Sequence, residues 1–187
     1  MFIVAIAGIS GSGKTSLSDY IHSHIDSTII SLDNFYKSNI SNHDLPLSFD
    51  FDLFFKSIHD LITNGETIIP FYNFETHTVT HNIYVKSNKI LILEGIYVLY
   101  DSRIANLCNL KLYLDIDYDI ALIRRIKRDI LERGRSINTI QDKYVHQVKP
   151  NIIKYQNDEK LKCDIIIPNH LHKKNFKFII NIIKQNI

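Results

Sequence analysis

The chain has 187 residues and a mass of 21.8 kDa, with 45% hydrophobic and 22% charged residues, so it reads as one globular domain spanning 1–187. Twenty-two Lys and Arg against 20 Asp and Glu leave a formal charge of +2, too balanced for a protein that grips a nucleic-acid backbone over a broad face. A chain of this length buries roughly 70% of the surface it exposes when unfolded, so it needs neither disulfides nor a structural metal.

Cys108 and Cys163 lie far apart with no CxxC spacing and read as reduced, buried thiols of an intracellular protein. The N-terminal MFIVAIAG lacks the basic region of a secretory signal and breaks at once into a Gly/Ser turn. No apolar run approaches the roughly 20 residues of a membrane span. A cytoplasmic protein with no membrane partner is expected.

Short apolar runs alternate with longer segments of helical period, the pattern of a parallel sheet covered by helices on both faces. Phe2 to Ala7 is the first predicted strand, followed by a Gly-rich turn and a helix from about Lys14 to His24. Thr28 to Leu32 is the second strand, and a polar loop from Asp33 to about Ser48 leads to a helix from about Asp50 to Thr63, ended by Asn64-Gly65. Thr67 to Tyr72 and Thr76 to Val85 predict a β-hairpin beside the main sheet. Lys89 to Leu93 and Leu110 to Leu114 are buried strands ending in Glu94-Gly95 and Asp115, each followed by helix, the second from about Tyr118 to Arg133 with a stop at Gly134. A helix over Thr139 to Asn157 is expected to bend at Pro150, Asp164 to Ile167 closes the sheet, and Asn175 to Gln185 forms the last helix.

Gly8-Ile9-Ser10-Gly11-Ser12-Gly13-Lys14-Thr15 fits GxxxxGK[ST] with a strand before it and a helix after it. By average residue usage a chance match in a chain this long is on the order of one in a hundred. Such a P-loop turns backbone N–H groups onto phosphate oxygens, while the helix N-terminus adds partial positive charge. Gly8, Ser10, Gly11, Ser12, Gly13, Lys14, Thr15 and Ser16 are therefore the candidate ATP-binding residues, with the Thr15 hydroxyl directed to Mg²⁺. A Gly/Ser turn of purely structural purpose gives no reason for Lys14 and Thr15 to follow Gly13.

The chain has neither the Asp-x-x-Gly nor the [NT]KxD stretch of a GTPase, and it is short for a motor. A small kinase remains, requiring a metal carboxylate, a base for the acceptor hydroxyl and cations over the migrating phosphoryl group. Glu94, at the carboxyl end of a buried strand, is the candidate metal residue; capping the next helix is its competing role, and Gly95 after it suggests a close ligand or backbone approach. Asp33 ends the second strand and is either the base or an ordinary helix N-cap. Residues 124–135 carry six bases and two acids. Salt bridges at i,i+4 from Arg125 to Asp129 and from Asp129 to Arg133 account for some of them, but leave Arg124, Arg128 and Arg135 without a use. With the Gly134 break, residues 124–138 or so read as a lid that brings guanidiniums onto phosphates.

Together these stretches resemble the uridine kinase (uridine-cytidine kinase) family of P-loop nucleoside kinases, from Ile3 to about Pro168. SLDNFY resembles the strand end carrying that family's catalytic Asp, which falls on Asp33. NHDLPLSFDFD resembles the loop whose Asp grips the ribose hydroxyls, here Asp44. PFYNFETH resembles the family's hairpin, implying nucleoside contacts from Tyr72 and His77 and a stacking wall from Phe74. LEGIYVLY matches the strand with the metal-linked Glu94. DIDYDIALIRRIKRDILERGR resembles the lid helix, implying substrate contact from Arg125 and Arg135 and phosphate contact from Arg128 and Arg133.

The resemblance implies a three-layer α/β fold whose five parallel strands, counted in chain order, run 2-3-1-4-5. It also implies ATP- and Mg²⁺-dependent phosphorylation of the 5′-hydroxyl of uridine or cytidine, with Lys14, Asp33 and Arg128 as the catalytic set and a homotetramer as the assembly. The chain departs from the family at His43, Asn73, Val79 and Asn169-His170, and Lys143 stands where a Gln usually reads the base. A Lys cannot accept a hydrogen bond there. None of these departures touches Lys14, Thr15, Asp33 or Glu94. The competing expectations are a related kinase for nicotinamide riboside or ribulose phosphate, and a nucleotide-binding regulatory module that has lost catalysis.

Overall fold

The computed structural model describes residues 1–38, 40, 42–168 and 173–187. In chain order the elements are β1 (Phe2–Ala7), α1 (Lys14–His22), β2 (Ser27–Ser31), α2 (Phe51–Asn64), β3 (Glu66–Asn73), β4 (Thr78–Lys86), β5 (Ile90–Glu94), α3 (Ser102–Leu107), β6 (Leu110–Asp115), α4 (Tyr118–Arg133), α5 (Ile137–Lys143), α6 (Lys149–Leu161), β7 (Ile165–Pro168) and α7 (Lys173–Gln185).

Five strands form one parallel sheet in the order β2-β5-β1-β6-β7, as expected from the sequence. The central strand β1 shows why: its alternate residues enter two different cores. Ile3, Ala5 and Ala7 join Leu91, Leu93 and helix α2 on one face, while Val4 and Ile6 join Leu112, Leu17 of α1 and Ile183 of α7 on the other. A strand buried on both faces must be apolar throughout, hence the uninterrupted run FIVAIA. Each such Leu or Ile contributes about 1.5–3 kcal/mol by leaving water. The antiparallel hairpin β3–β4 stands apart from this sheet.

Helix ends follow local chemistry. Asp50 caps α2 by accepting from the Leu53 N–H at 2.9 Å, and Gly65 ends it in the left-handed region at φ 78°. Gly134 ends α4 in the same way at φ 60°. Two expectations need correction. The helix after β5 does not begin at Glu94; it is the six-residue α3, capped by Asp101 after a run of turns. The helix expected over Thr139 to Asn157 is two helices joined by a π-helical turn at Tyr144–Val148, and Pro150 lies in the first turn of α6, where its missing N–H costs nothing. The thiols of Cys108 and Cys163 are half-buried rather than fully buried, and they donate to the carbonyls of Ile104 and Glu159. Burial pushes both thiols up to about 12, so neither is a nucleophile at neutral pH. No helix among the described residues is long and apolar enough to cross a membrane.

Helix α6 is tied to the turns after β5. Gln156 donates to the Ile96 carbonyl at 2.7 Å, Lys162 to the Leu99 carbonyl at 2.7 Å, and one oxygen of Glu159 accepts from the Leu99 N–H at 3.3 Å. Glu159 is 1% exposed, and its other oxygen has no partner among the described residues. Burial raises its carboxyl to about 8. A carboxyl with a raised folded-state value binds more protons folded than unfolded between about pH 4.5 and 8, so it makes stability fall as pH rises through that window. Glu159→Gln is therefore expected to melt close to wild type at pH 5 and several degrees above it at pH 8, a difference on the order of a few kcal/mol. Thermal unfolding of both proteins across that range checks this; parallel curves would refute it.

Candidate active site

The turn between β1 and α1 is built on Gly8, Gly11 and Gly13, with φ of 142°, 86° and 94°. Gly11 is the most constrained: a Cβ there would stand 2.4 Å from the Ala121 carbonyl oxygen of α4, so loop and helix touch backbone to backbone. Gly13 turns the chain into α1, whose first turn carries Lys14 and the exposed hydroxyls of Thr15 and Ser16. Ser12 is buried in the loop. Lys14 is 8% exposed, and its Nζ donates to the Ile9 carbonyl at 3.0 Å across the loop. Burial lowers the lysine's pKa, while Glu94 and Asp33 pull it back up.

Both carboxylates stand at the carboxyl end of the sheet. Glu94, the last residue of β5, is buried and in register with Ile6 of β1 and Ser31 of β2. Burial and the charge of Asp33 raise its pKa; Lys14 and a hydrogen bond from Ser31 oppose them. Asp101 caps α3, so Glu94 has no capping role. A Cβ on Gly95 would lie 2.6 Å from the Leu32 side chain, so the glycine makes room for that side chain, and the nearest atoms are not backbone. Asp33 sits in a 3-10 turn, Leu32–Phe35, where the cap is Ser31, whose hydroxyl accepts from the Asp33 N–H at 3.3 Å. The helix-cap alternative for Asp33 is thereby removed.

Asp33 opens onto a cavity of about 40 Å³ lined also by Ser10, Asp44, Phe74, Arg125 and Lys143. Arg125 closes it by pairing with Asp44 at 3.1 and 3.5 Å, the two side chains being 8% and 14% exposed. The Asp44 carbonyl is fixed from behind by Tyr97 Oη at 2.8 Å and Asn151 Nδ2 at 2.9 Å. The remaining space holds a few waters, so admitting a nucleoside-sized molecule requires the Arg125–Asp44 pair to part.

The hairpin supplies another wall. Tyr72 is 2% exposed, and its hydroxyl lies 3.1 Å from His43 Nε2 and 3.4 Å from His77 Nδ1. The two imidazoles are 4.7 Å apart, and His77 adopts φ 56° at the hairpin tip. Burial lowers both histidine pKa values; Lys143 lowers both further, helped at His77 by Arg135. Both are neutral at neutral pH and can donate or accept. Phe74 lies under the Arg133 guanidinium at 3.8 Å. Val79 is exposed on the hairpin, and Asn73 accepts from the N–H groups of Glu75 and Thr76. Asn169 and His170 lie outside the described residues.

Helix α4 covers the P-loop. Arg124 donates to the Gly11 carbonyl and Arg128 to the Ser10 hydroxyl, both at 3.3 Å. Arg128, Arg135, Arg133 and Arg125 surround Asp129 at 2.8, 2.9, 3.4 and 3.7 Å, and Asp129 is fully buried. The arginines left over by the two i,i+4 pairs thus each have a partner. Asp129 was no site candidate in the sequence, although one acid with bases at −4, −1, +4 and +6 was a readable signal.

Among the described residues no group of three His, Cys, Asp or Glu could cage a metal. Thr15, Asp33 and Glu94 offer hard oxygens beside the phosphate loop. That sparse donor set fits Mg²⁺, which keeps several waters and takes the rest of its shell from substrate phosphates.

The sequence model of the family described as phosphoribulokinase / uridine kinase matches residues 3–174. The chain is similar to the uridine kinase of Geobacillus sp. (strain WCH70), 39% identical over 91% of this chain and 87% of the relative. It is likewise similar to that of Bacillus subtilis (strain 168), 38% identical over 89% and 85%. In fold it resembles a Bacillus stearothermophilus protein described as a possible uridine kinase, with a TM-score of 0.63 and 16% identity over 89% of this chain and 88% of that one.

Proposed function

Because the chain belongs to the phosphoribulokinase / uridine kinase family, we propose that it transfers the γ-phosphoryl group of ATP to the 5′-hydroxyl of uridine or cytidine. The observation that carries this reading is that Ser10 of the P-loop, Asp33 and Asp44 line one cavity. A phosphate donor, a base and a group able to accept from two adjacent ribose hydroxyls are thereby brought together.

In this reading Asp33 takes the proton of the 5′-hydroxyl as its oxygen bonds to the γ-phosphorus, and the bond from that phosphorus to the β–γ bridging oxygen breaks. The products are the nucleoside monophosphate and ADP, with the proton passing from Asp33 to solvent. Lys14 and Arg128 neutralise charge on the transferring group. Thr15 and Glu94 would hold Mg²⁺, which would screen the charge of the phosphates. Asp44 positions the ribose, displacing Arg125 from its oxygens. Phe74 flanks the base, and Tyr72, His43, His77 and Lys143 meet its edge. The protein then works in the cytoplasm, where ATP and free nucleosides are found, and assembles as a homo-oligomer like the tetramers the family resemblance implies.

Lys143 and Arg135 on the cavity wall favour a second reading, an acceptor that already carries phosphate. A product assay separates the two: ATP, Mg²⁺ and a mixture of uridine, cytidine, nicotinamide riboside and ribulose 5-phosphate, resolved by mass spectrometry. UMP and CMP as the main products are expected. A dominant bisphosphate would establish the second reading, and absence of any product would leave a nucleotide-binding module.

A further inference from the structure

The buried carboxylate of Asp129 touches neither the cavity nor the P-loop, yet every arginine it binds reaches one of them. Arg128 bonds Asp129 through Nε at 2.9 Å and Nη2 at 2.8 Å, and the same Nη2 lies 3.3 Å from the Ser10 hydroxyl on the donor side. Arg125 approaches Asp129 through Nε at 3.7 Å while its Nη atoms hold Asp44 on the acceptor side. Arg133 lies 3.4 Å from Asp129 and covers Phe74 at the hairpin tip. Arg135 closes the set at 2.9 Å, and its backbone N–H donates to the Asp129 carbonyl at 3.0 Å.

An ionised carboxylate accepts about four hydrogen bonds. Oδ1 of Asp129 accepts both Arg128 bonds and pairs with Arg133 at 3.4 Å, while Oδ2 accepts from Arg135 and faces Arg125 at 3.7 Å, just outside bonding distance. Burial alone would raise its pKa, but the guanidiniums outweigh that and hold it ionised. The four guanidiniums share one negative charge, so Arg125 closing on Oδ2 weakens the hold of Oδ1 on Arg128 and Arg133.

We propose that Asp129 is a positioning residue that couples the two substrate sites, so that a nucleoside bound at Asp44 raises the affinity for ATP. Ribose hydroxyls that occupy Asp44 release Arg125, which turns to Asp129; Arg128 and Arg133 then loosen from Asp129 and become available to the phosphates. Reciprocity requires ATP to tighten nucleoside binding by the same factor. This inference rests on the proposed function, in which Asp44 faces the nucleoside and Arg128 the phosphates.

The test first establishes that the wild-type protein phosphorylates uridine. It then measures by calorimetry the dissociation constant of a non-hydrolysable ATP analogue with Mg²⁺, with and without saturating uridine. Uridine is expected to tighten the analogue about five-fold or more in wild type, and less than two-fold in Asp129→Asn, which still binds each ligand alone. A merely structural role for Asp129 would weaken each ligand and leave the ratio intact, and that result overturns the proposal. So does a wild-type ratio near one. If Asp129→Asn does not fold, Arg128→Lys cuts the link to Ser10 and leaves Asp129 its charge. Loss of coupling there supports the proposal, and full coupling refutes it. Failure to phosphorylate uridine in the first step is a different result, because it removes the functional reading and this inference with it.

Discussion

Asp33→Asn is expected to lower kcat by about 10³, within the 10²–10⁴ range for removing a positioned base, while ATP and uridine still bind within a few-fold of wild type. The amide keeps the size of the side chain and the 3-10 turn, since the cap there is made by Ser31 and the Asp33 N–H. What it loses is the capacity to take the 5′-hydroxyl proton. One indirect effect accompanies the change. Asp33 raises the pKa of both Glu94 and Lys14, so each is expected to titrate lower in the variant. The loss of turnover is therefore read as a full pH profile, in which a shifted titration moves the curve and a missing base lowers it throughout. Steady-state kinetics beside calorimetric binding separate the effects, and turnover near wild type would remove Asp33 from the base role.

Asp44→Ala is expected to act on the other kinetic parameter. A carboxylate accepting from two ribose hydroxyls makes two charge-assisted bonds, each worth about 1.5–3 kcal/mol, so the uridine KM should rise by about 10² or more. The same substitution takes from Arg125, whose side chain is 8% exposed, its Asp44 partner and leaves it only the already shared Asp129, 3.7 Å away. Breaking a buried pair from one side costs about 3–5 kcal/mol, so the variant should also melt at a visibly lower temperature. Saturating uridine should recover much of kcat, because Asp33 and the P-loop are untouched. A KM within three-fold of wild type would show that Asp44 serves Arg125 and not the ribose. These two outcomes together would separate chemistry from binding on the walls of a single cavity.

Much of this was legible in the sequence because the signals are local. GISGSGKT sets a strand-turn-helix by its own φ requirements, Gly134 ends α4, and the short apolar runs FIVAIA and ILILE announce strands buried on both faces. The chain also determined which carboxylates end strands, and hence that Asp33 and Glu94 would meet at the carboxyl edge of a parallel sheet. The resemblance of whole stretches, rather than their physics, was what raised Tyr72, His77 and Asp44 above ordinary loop and hairpin residues.

The tertiary structure decided the rest, because it depends on distances that no local pattern encodes. Asp129 gathers Arg125, Arg128, Arg133 and Arg135 from its own stretch of chain, but only the packing of α4 against the rest of the fold brings their far ends to Ser10, Asp44 and Phe74. His43 is a departure in sequence; in the fold it is a hydrogen-bond partner of Tyr72, from a segment 29 residues away. Gly95 beside Glu94 suggested a close approach, and in the fold the nearest neighbour is the Leu32 side chain, 63 residues earlier in the chain. The sequence by itself determined the phosphate loop, the buried strands and the two acids at the carboxyl edge of the sheet. Tertiary structure alone decided where the far ends of those arginines go, because Ser10, Asp44 and Phe74 are distant from them in sequence and meet them only once the helix has packed.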